Sequence, residues 1–238
     1  MRIWIEYVAL WWDALVHPDR AGRLVLDKRI GRGFDRFLVA GIAALYALYG
    51  LSMGLFRGYG PAAVSGLKLP FLYLLTLAVC LPAFYVLNCL WGSRLSVPEC
   101  VRLLLVAVSS NAAALASYAP FSFFFTLTTS RGGYRFLVLM HVAVFALSAI
   151  ASVGVIALIF RATAAQLGRH LRAGVVVQWA ILYAFVGTQM SWVLRPWVGS
   201  WSGPYAPFRP IGGSFIESLY NLIHPLFDRV IRLLPGFF

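Results

Sequence analysis

Five runs of about twenty or more residues, nearly all apolar, are the feature that most restricts how this chain folds. They cover residues 37–56, 70–91, 97–118, 135–160 and 174–194. Each is close to the roughly 20 residues that an α-helix needs to cross the hydrocarbon core of a bilayer. Of the 238 residues, 61% are hydrophobic and only 12% are charged, a balance that a soluble domain of this size cannot hide from water. The sequence therefore predicts an all-α, polytopic transmembrane helical bundle of five spans.

The basic residues indicate how the bundle is oriented. The net charge of +12 comes from arginines and lysines in the short segments between apolar runs, where they set topology and contact anionic lipid head groups. Nucleic-acid binding is therefore not expected. With the N-terminus in the cytoplasm, 12 Lys and Arg residues lie inside and 8 outside, the bias that the positive-inside rule predicts. We expect a multi-pass protein of the cytoplasmic membrane, with an extracytoplasmic C-terminus.

The N-terminal 36 residues are predicted to form a cytoplasmic unit made of an interfacial helix and a basic linker. Residues 2–17 carry tryptophans on one side, are interrupted by Glu6 and Asp13, and are too short and too charged to span. A helix packed on a soluble partner is the alternative interpretation. Residues 19–36 form the most basic short segment, which we expect to be a solvated linker.

The segment after the fifth span, residues 196–238, is predicted to lie outside the cytoplasm. It is rich in proline and glycine as far as Gly213, and Ser214 and Glu217 then have the spacing of a capping box. Apolar residues follow at near-helical spacing, with charges on the other side and Pro225 in between. An amphipathic helix pair on the outer membrane surface is expected. The internal proline and the charges argue against the competing interpretation, a sixth span.

Small residues in the first span indicate a close helix contact. Gly50, Gly54 and Gly58 recur at four-residue spacing, which leaves one face bare enough for another backbone to approach. The contact is expected either within the bundle or between subunits.

The second span is predicted to open at Pro70, after a loop over residues 58–66, and to kink at Pro82. Asn88 lies near its far end. An amide in lipid must find a partner, so a hydrogen bond to a neighbouring helix is the simpler interpretation of Asn88, and a ligand contact is the alternative.

The third span has a well-marked start. Ser96 and Glu99 form a capping box with Pro98 in the first turn, which places the helix start within about a residue of Val97. The middle of this span is small and polar and includes Asn111, which suits a tightly packed central helix. Pro120 is expected to end or bend the span, and the phenylalanines that follow to form a short re-entrant or interfacial piece.

The end of the fifth span carries the densest group of polar and aromatic residues at any span end. Gln189, Trp192, Arg195 and Pro196 are spaced by three, three and one, which predicts one helical stripe. His141, at the start of the fourth span, is expected near the same outer face. An ionisable group within a span often marks function. The alternative is that Arg195 is an interfacial anchor that binds carbonyls or phosphates at a helix end.

Enzyme motifs do not occur in the sequence. The predicted spans hold no pair of carboxylates for acid–base or metal chemistry, and the histidines are isolated from one another and from cysteines. The three cysteines match no metal or disulfide spacing. We therefore expect a protein that is not an enzyme and has no metal and no cofactor.

Four segments together resemble a bacterial family of five-span integral membrane proteins. They are Lys68-Leu-Pro70, Tyr85-Val-Leu-Asn88, Gly92-Ser-Arg-Leu-Ser96 and the run from Gly187 to Pro196. In its five-span layout the chain is also similar to the Yip1 family, with Tyr59-Gly-Pro61 matching part of that family's motif although it follows the first span. The resemblance implies a non-enzymatic helical bundle that contacts lipids or other membrane proteins.

Two classes of function follow. The first is a scaffold or accessory subunit, in which the glycine-lined first span and the interfacial helices bind other membrane proteins or a second copy. The second is a channel or carrier for an ion or small solute, with Asn111, Gln189 and Arg195 along the path. Flux through liposomes distinguishes the two.

Overall fold

A computed structural model describes residues 2–27, 30–92, 95–166 and 174–198, together with positions 206, 208, 217, 220, 221 and 223–225. The described part is almost entirely α-helical and contains no β-strand, which confirms the all-α prediction. Its helices are α1 (Arg2–Val16), α2 (Pro18–Leu26), α3 (Arg32–Gly54), α4 (Tyr59–Leu90), α5 (Val97–Ser117), α6 (Ala119–Thr128), α7 (Tyr134–Gln166) and α8 (Gly174–Val193). Short 3₁₀ turns at Leu55–Arg57 and Arg131–Gly133 join some of them.

Four helical segments of the described chain are long and apolar enough to cross a bilayer. They are Arg32–Arg57, Tyr59–Leu90, Val97–Thr128 and Tyr134–Thr163. Helices suit this role because they satisfy their backbone hydrogen bonds internally, where lipid offers no partners. The fifth predicted span coincides with α8.

Helix α5 is the centre of the bundle. Residues 102–112 of α5 are all buried, and this stretch contains the small side chains that let neighbouring helices approach closely. Helices α3 and α7 both pack on it. Helix α2 packs on α7 and α5, α1 contacts α2, α3 and α5, and α6 contacts α3, α5 and α7.

Helix α8 packs against α4 along most of the length of both helices. The contacts run in opposite order along the two helices, from Lys68–Leu194 through Thr76–Gly187 and Phe84–Trp179 to Trp91–Gln178. The pair is therefore antiparallel, and α8 begins beside the end of α4.

The glycines of α3 lie at its contact with α4. A Cβ atom built on Gly50 would lie 2.5 Å from the Ser65 carbonyl oxygen, and one on Gly54 would lie 2.5 Å from the Ala62 Cα. The two backbones approach this closely because neither glycine has a side chain. Gly58 differs from the prediction: it lies in the turn between the helices, where its φ of +122° is one that glycine readily adopts.

Helix α4 begins earlier than expected. The predicted loop over residues 58–66 and the predicted helix start at Pro70 are both wrong, because the helix begins at Tyr59 and continues through Pro70 and Pro82. Gly58 provides the turn and Pro61 falls in the first helical turn, where a missing N–H is tolerated. Those two residues therefore explain the earlier start.

Three further segments can be compared with their predictions. The capping box is confirmed, with the Ser96 backbone N–H donating to Glu99 Oε2 over 2.7 Å and α5 beginning at Val97. The phenylalanine-rich segment forms the regular helix α6.

Part of the expected solvated linker is helix α2, whose Ala21 and Val25 are fully buried. The linker prediction is wrong there because α2 packs on α7, with Gly22 against the backbone of Ala162 and Thr163, and because α3 already begins at Arg32.

The predicted C-terminal amphipathic helix pair lies largely outside the described residues. Among the positions that are described there, Glu217, Tyr220, Asn221 and residues 223–225 are helical.

Candidate functional site

The end of α8 is closed by a lysine from α4. The Lys68 ammonium donates to the carbonyl oxygen of Leu194 over 2.8 Å and lies 3.5 Å from that of Pro196. It also lies 4.4 Å from the centre of the Phe208 ring. A cation is favoured here because the last carbonyls of a helix have no intrahelical partners and carry partial negative charge. Lys68 is 6% exposed, so this interaction is nearly shielded from solvent.

Arg195 does not extend the helical stripe that the spacing predicts. Helix α8 ends at Val193, so Arg195 and Pro196 belong to the segment that follows it. The Arg195 guanidinium nevertheless lies over the Trp192 ring, 3.5 Å from its centre, as a cation–π pair. The arginine is partly exposed, and Pro196 is buried.

Two hydrogen bonds hold the segment after α8 in place. Ser65 Oγ donates to the carbonyl oxygen of Trp197 over 2.7 Å, and Trp197 Nε1 donates back to the Ser191 carbonyl over 2.9 Å. We call Ser65, Lys68, Trp192, Arg195, Pro196 and Trp197 the α8-end cluster. Gln189 lies half-buried just before it and has no hydrogen-bond partner among the described residues.

Asn111 lies elsewhere, in a polar layer at the centre of the bundle. Its side-chain oxygen accepts from the Tyr46 hydroxyl on α3 over 2.7 Å, and its amide nitrogen donates to Ser152 Oγ on α7 over 3.0 Å. Tyr46 also stacks on Tyr73 of α4, with ring centres 3.9 Å apart. This layer therefore joins four helices through one side chain of α5 and its neighbours.

His141 and Asn88 are also buried and paired. His141 Nδ1 and the Tyr49 hydroxyl are 2.8 Å apart, with the roles of donor and acceptor set by the ring tautomer. The Asn88 amide nitrogen lies 3.4 Å from Cys100 Sγ, a weak acceptor on α5. His141 Nε2 and Asn88 Oδ1 have no partner within the described residues. Among the described residues, no hydrogen bond or ring contact joins either residue to the α8-end cluster, so the expected meeting of His141 with Arg195 is not observed there.

Arg102 forms a third polar cluster that the sequence analysis misses. Its Nε atom donates to Asp35 Oδ1 over 3.0 Å, while Nη1 and Nη2 donate to the carbonyls of Asp27 and Ile30 over 2.9 and 2.7 Å. Arg102 is 7% exposed. The signal was an arginine three residues after the capping glutamate of a predicted span, where it has to find an acceptor.

The polar clusters described above mainly connect helices to one another. Each of the clusters links different helices through neutral hydrogen bonds, a cation on carbonyls or one ion pair. In the part of the chain that the structure describes, no three His, Cys, Asp or Glu side chains are placed to hold a metal ion. In comparisons with known proteins, no protein-family model, no curated protein and no solved structure matches the chain.

Proposed function

We propose that this protein is a non-enzymatic scaffold or accessory subunit of the bacterial inner membrane, with five membrane-spanning helices and a cytoplasmic N-terminus. Its work is to contact lipids and other membrane proteins, or a second copy of itself. The charge bias of the segments between spans supports this orientation.

The antiparallel pairing of α8 with α4 supports the fifth span. Helix α8 is about 30 Å long at about 1.5 Å per residue, close to the thickness of the hydrocarbon core. It carries no charged residue and lies beside α4, one of the four segments able to cross a bilayer. Packing of α8 beside α4 over this length supports the proposal that both helices occupy the same depths of the membrane.

The observation that carries the proposal is that most of the buried polar side chains within the spans bind one another or backbone carbonyls. Five of them, Thr76, Asn88, Thr126, His141 and Trp179, each have one buried atom without a hydrogen-bond partner among the described residues. Tyr46, Asn111 and Ser152 form one chain of hydrogen bonds, and Ser52 Oγ donates to Ser122 Oγ over 2.8 Å. Lys68 is bound to backbone carbonyls. Side chains used in this way fix helix positions and leave few polar groups to line a path for a solute.

The surface available to partners is not the glycine-lined face of α3. Gly50 and Gly54 are covered by α4 of the same chain, so they do not offer a face to another subunit. Helix α7 exposes an apolar face instead, on which Leu147, Ile150 and Leu158 are 55%, 70% and 49% exposed. We propose that this face contacts lipid or a partner's helix.

Affinity purification in a mild detergent tests the proposal. A tagged chain is expected to elute with other membrane proteins or as an oligomer, and a photo-crosslinking residue at Ile150 is expected to form protein adducts. A matched crosslinker at Ser65, beneath the segment after α8, should give none, because that position is covered by the chain itself. A monodisperse single chain with no adduct at Ile150 would contradict the scaffold function.

The channel hypothesis receives less support from the geometry. Asn111 binds Tyr46 and Ser152, and no described hydrogen bond connects it with Gln189 or Arg195. Liposome flux still tests it: the scaffold proposal expects no flux above empty liposomes and no change in Gln189→Ala. A flux that Gln189→Ala abolishes would establish the channel instead. The resemblance to five-span bacterial proteins and to the Yip1 family stays a prediction.

A further inference from the structure

Helix α1 has three faces with different surroundings. Its first face packs on the bundle: the Tyr7 ring lies 5.6 Å from Phe34 and 5.7 Å from Phe37, and Ala14 is 1% exposed. Trp11, on the same side, donates from Nε1 to Ser109 Oγ of α5 over 2.9 Å. The helix is thus docked on its own chain, which leaves its other faces for the surroundings.

The second face is apolar and uncovered. Ile5, Val8, Trp12 and Val16 recur at helical spacing and are 64%, 48%, 63% and 51% exposed. Exposing an apolar stripe of this size to water is energetically unfavourable.

The third face is polar and lies beside the apolar one. Glu6 is exposed, and Asp13 accepts from Arg20 Nη1 over 2.6 Å in a partly exposed ion pair. Helical spacing places Glu6 and Asp13 on one stripe between the bundle face and the apolar face. A helix with an apolar face and a separate charged stripe is suited to the boundary between lipid and water.

The contact with Ser109 sets the depth of the helix. Ser109 lies about 18 Å along the axis from the start of α5, at about 1.5 Å per residue, within a segment able to cross the bilayer. Trp11 therefore extends from α1 to the depth of the acyl chains. Phe37, the ring partner of Trp4 and Tyr7, lies near the start of α3, so the helix itself is near the membrane boundary.

We propose that α1 is a permanently docked interfacial helix whose Ile5, Val8, Trp12 and Val16 are covered by the acyl chains of the leaflet nearest the start of α3. Its Glu6 and Asp13 stripe faces water. The inference rests on the proposed function only in assuming that the bundle lies in a bilayer. Lipid is the expected occupant of this face, and not a soluble protein, because the Trp11–Ser109 contact places α1 beside a segment able to cross the bilayer.

Spin-label accessibility in liposomes of phosphatidylethanolamine and phosphatidylglycerol tests the inference. Single cysteines replace Ile5, Val8, Trp12 or Glu6 in a Cys89→Ser background, since Cys80 and Cys100 are buried. Collisions with oxygen, which concentrates in acyl chains, are compared with collisions with a water-soluble nickel chelate. The ratio is expected to be several-fold higher at residues 5, 8 and 12 than at residue 6.

Equally low ratios at all four positions would overturn the inference, because the apolar face would then lie in water, free for a soluble partner. Equally high ratios would also overturn it, because Glu6 would then lie among the acyl chains. A label on Ile150 of α7 distinguishes this failure from a failure of the bilayer placement. If Ile150 reports acyl chains while Ile5 reports water, only the inference about α1 fails. If Ile150 also reports water, the membrane placement fails and takes the inference with it.

Discussion

Single residues decide how closely the helices of this bundle approach. At Gly50 and Gly54 a side chain would meet the backbone of α4, whereas at Gly41 of the same helix a Cβ atom meets nothing within 4 Å. Lys68 and Arg102 act differently, by joining a side chain of one helix to backbone carbonyls of distant segments. Each is a point where one substitution tests a packing claim.

Gly54→Ala is expected to destabilise the protein by about 1–3 kcal/mol, because the added methyl group meets the Pro61 carbonyl and the Ala62 Cα. Gly41→Ala is the matched control and is expected to be neutral or stabilising by up to about 1 kcal/mol, since alanine favours the helix. Unfolding by sodium dodecyl sulfate in mixed micelles measures both. Equal effects of the two substitutions would count against the α3–α4 contact.

Arg102→Ala is expected to cost about 2–4 kcal/mol, because it leaves Asp35 without its ion-pair partner and removes the arginine donors to the carbonyls of Asp27 and Ile30. Arg36→Ala, at an exposed position one residue after Asp35, should change stability by less than about 0.5 kcal/mol. The same unfolding titration compares the two. A mild effect of Arg102→Ala would show that this cluster does not hold the α2–α3 connection.

Lys68→Met is expected to loosen the segment after α8 while α4 and α8 stay folded. The carbonyls of Leu194 and Pro196 lose their shared donor, and an unpaired buried acceptor is costly. Hydrogen–deuterium exchange of peptides covering residues 194–198 should become several-fold faster. Leu67→Met, at an exposed neighbouring position, should leave the exchange unchanged. Unchanged exchange in Lys68→Met would show that the lysine does not hold the segment after α8.

At the scale of whole helices, the antiparallel α4–α8 pair is the contact on which the five-span arrangement depends. The two helices meet through side chains of very different kinds, from a lysine on carbonyls at one end to the Trp91–Gln178 hydrogen bond at the other. Because the contacts keep one register along both helices, an engineered crosslink can test the pairing directly.

A Thr76→Cys, Gly187→Cys double variant is expected to form an intramolecular disulfide. A Cβ atom on Gly187 would lie 3.7 Å from Thr76 Cγ2, within the range from which two cysteines can be bridged after a small adjustment. The control pairs Gly187→Cys with Val79→Cys, which is 54% exposed and turned toward the surroundings. The crosslinked product is detected by its mobility before and after reduction. Bridging in the control alone would place α8 in another register.

The sequence predicted the helical elements better than their contacts. Local signals succeeded where they were complete: Ser96 and Glu99 located the start of α5 because a capping box depends only on neighbouring residues. Helix α4 was misplaced because Pro70 was given more weight than the turn at Gly58. Helix α2 was missed because its stability comes from packing on α7, which a short basic segment does not reveal.

The candidate site was only partly predictable for the same reason. The sequence identified Trp192 and Arg195, which are close along the chain and do form a pair. It could not identify Lys68 as the residue at the end of α8, because the two lie far apart in sequence and meet only through the helix pairing. Asn111 was noted as a polar residue, but its partners Tyr46 and Ser152 come from helices whose register no single sequence specifies.

At the scale of the whole molecule, the helices are organised around α5, and four helical segments of the described chain are long and apolar enough to cross a bilayer. The face of α7 and the uncovered face of α1 are the two exposed apolar surfaces for which contacts are proposed above. The inference about α1 needs only that the bundle lies in a bilayer, whereas the proposed function also includes five crossings. The position of the segment after α8 decides this, because four crossings would leave it on the same side as the start of α3.

Labelling of single cysteines in intact cells by a membrane-impermeant thiol reagent, in a Cys89→Ser background, tests the five crossings most directly. Tyr59→Cys, in the exposed first turn of α4, and Phe208→Cys, beyond α8, are expected to be labelled from outside. Val97→Cys, at the exposed start of α5, is expected to react only after the membrane is permeabilised. If Phe208→Cys instead behaves like Val97→Cys while Tyr59→Cys is labelled from outside, α8 does not cross the membrane and the five-span account is wrong.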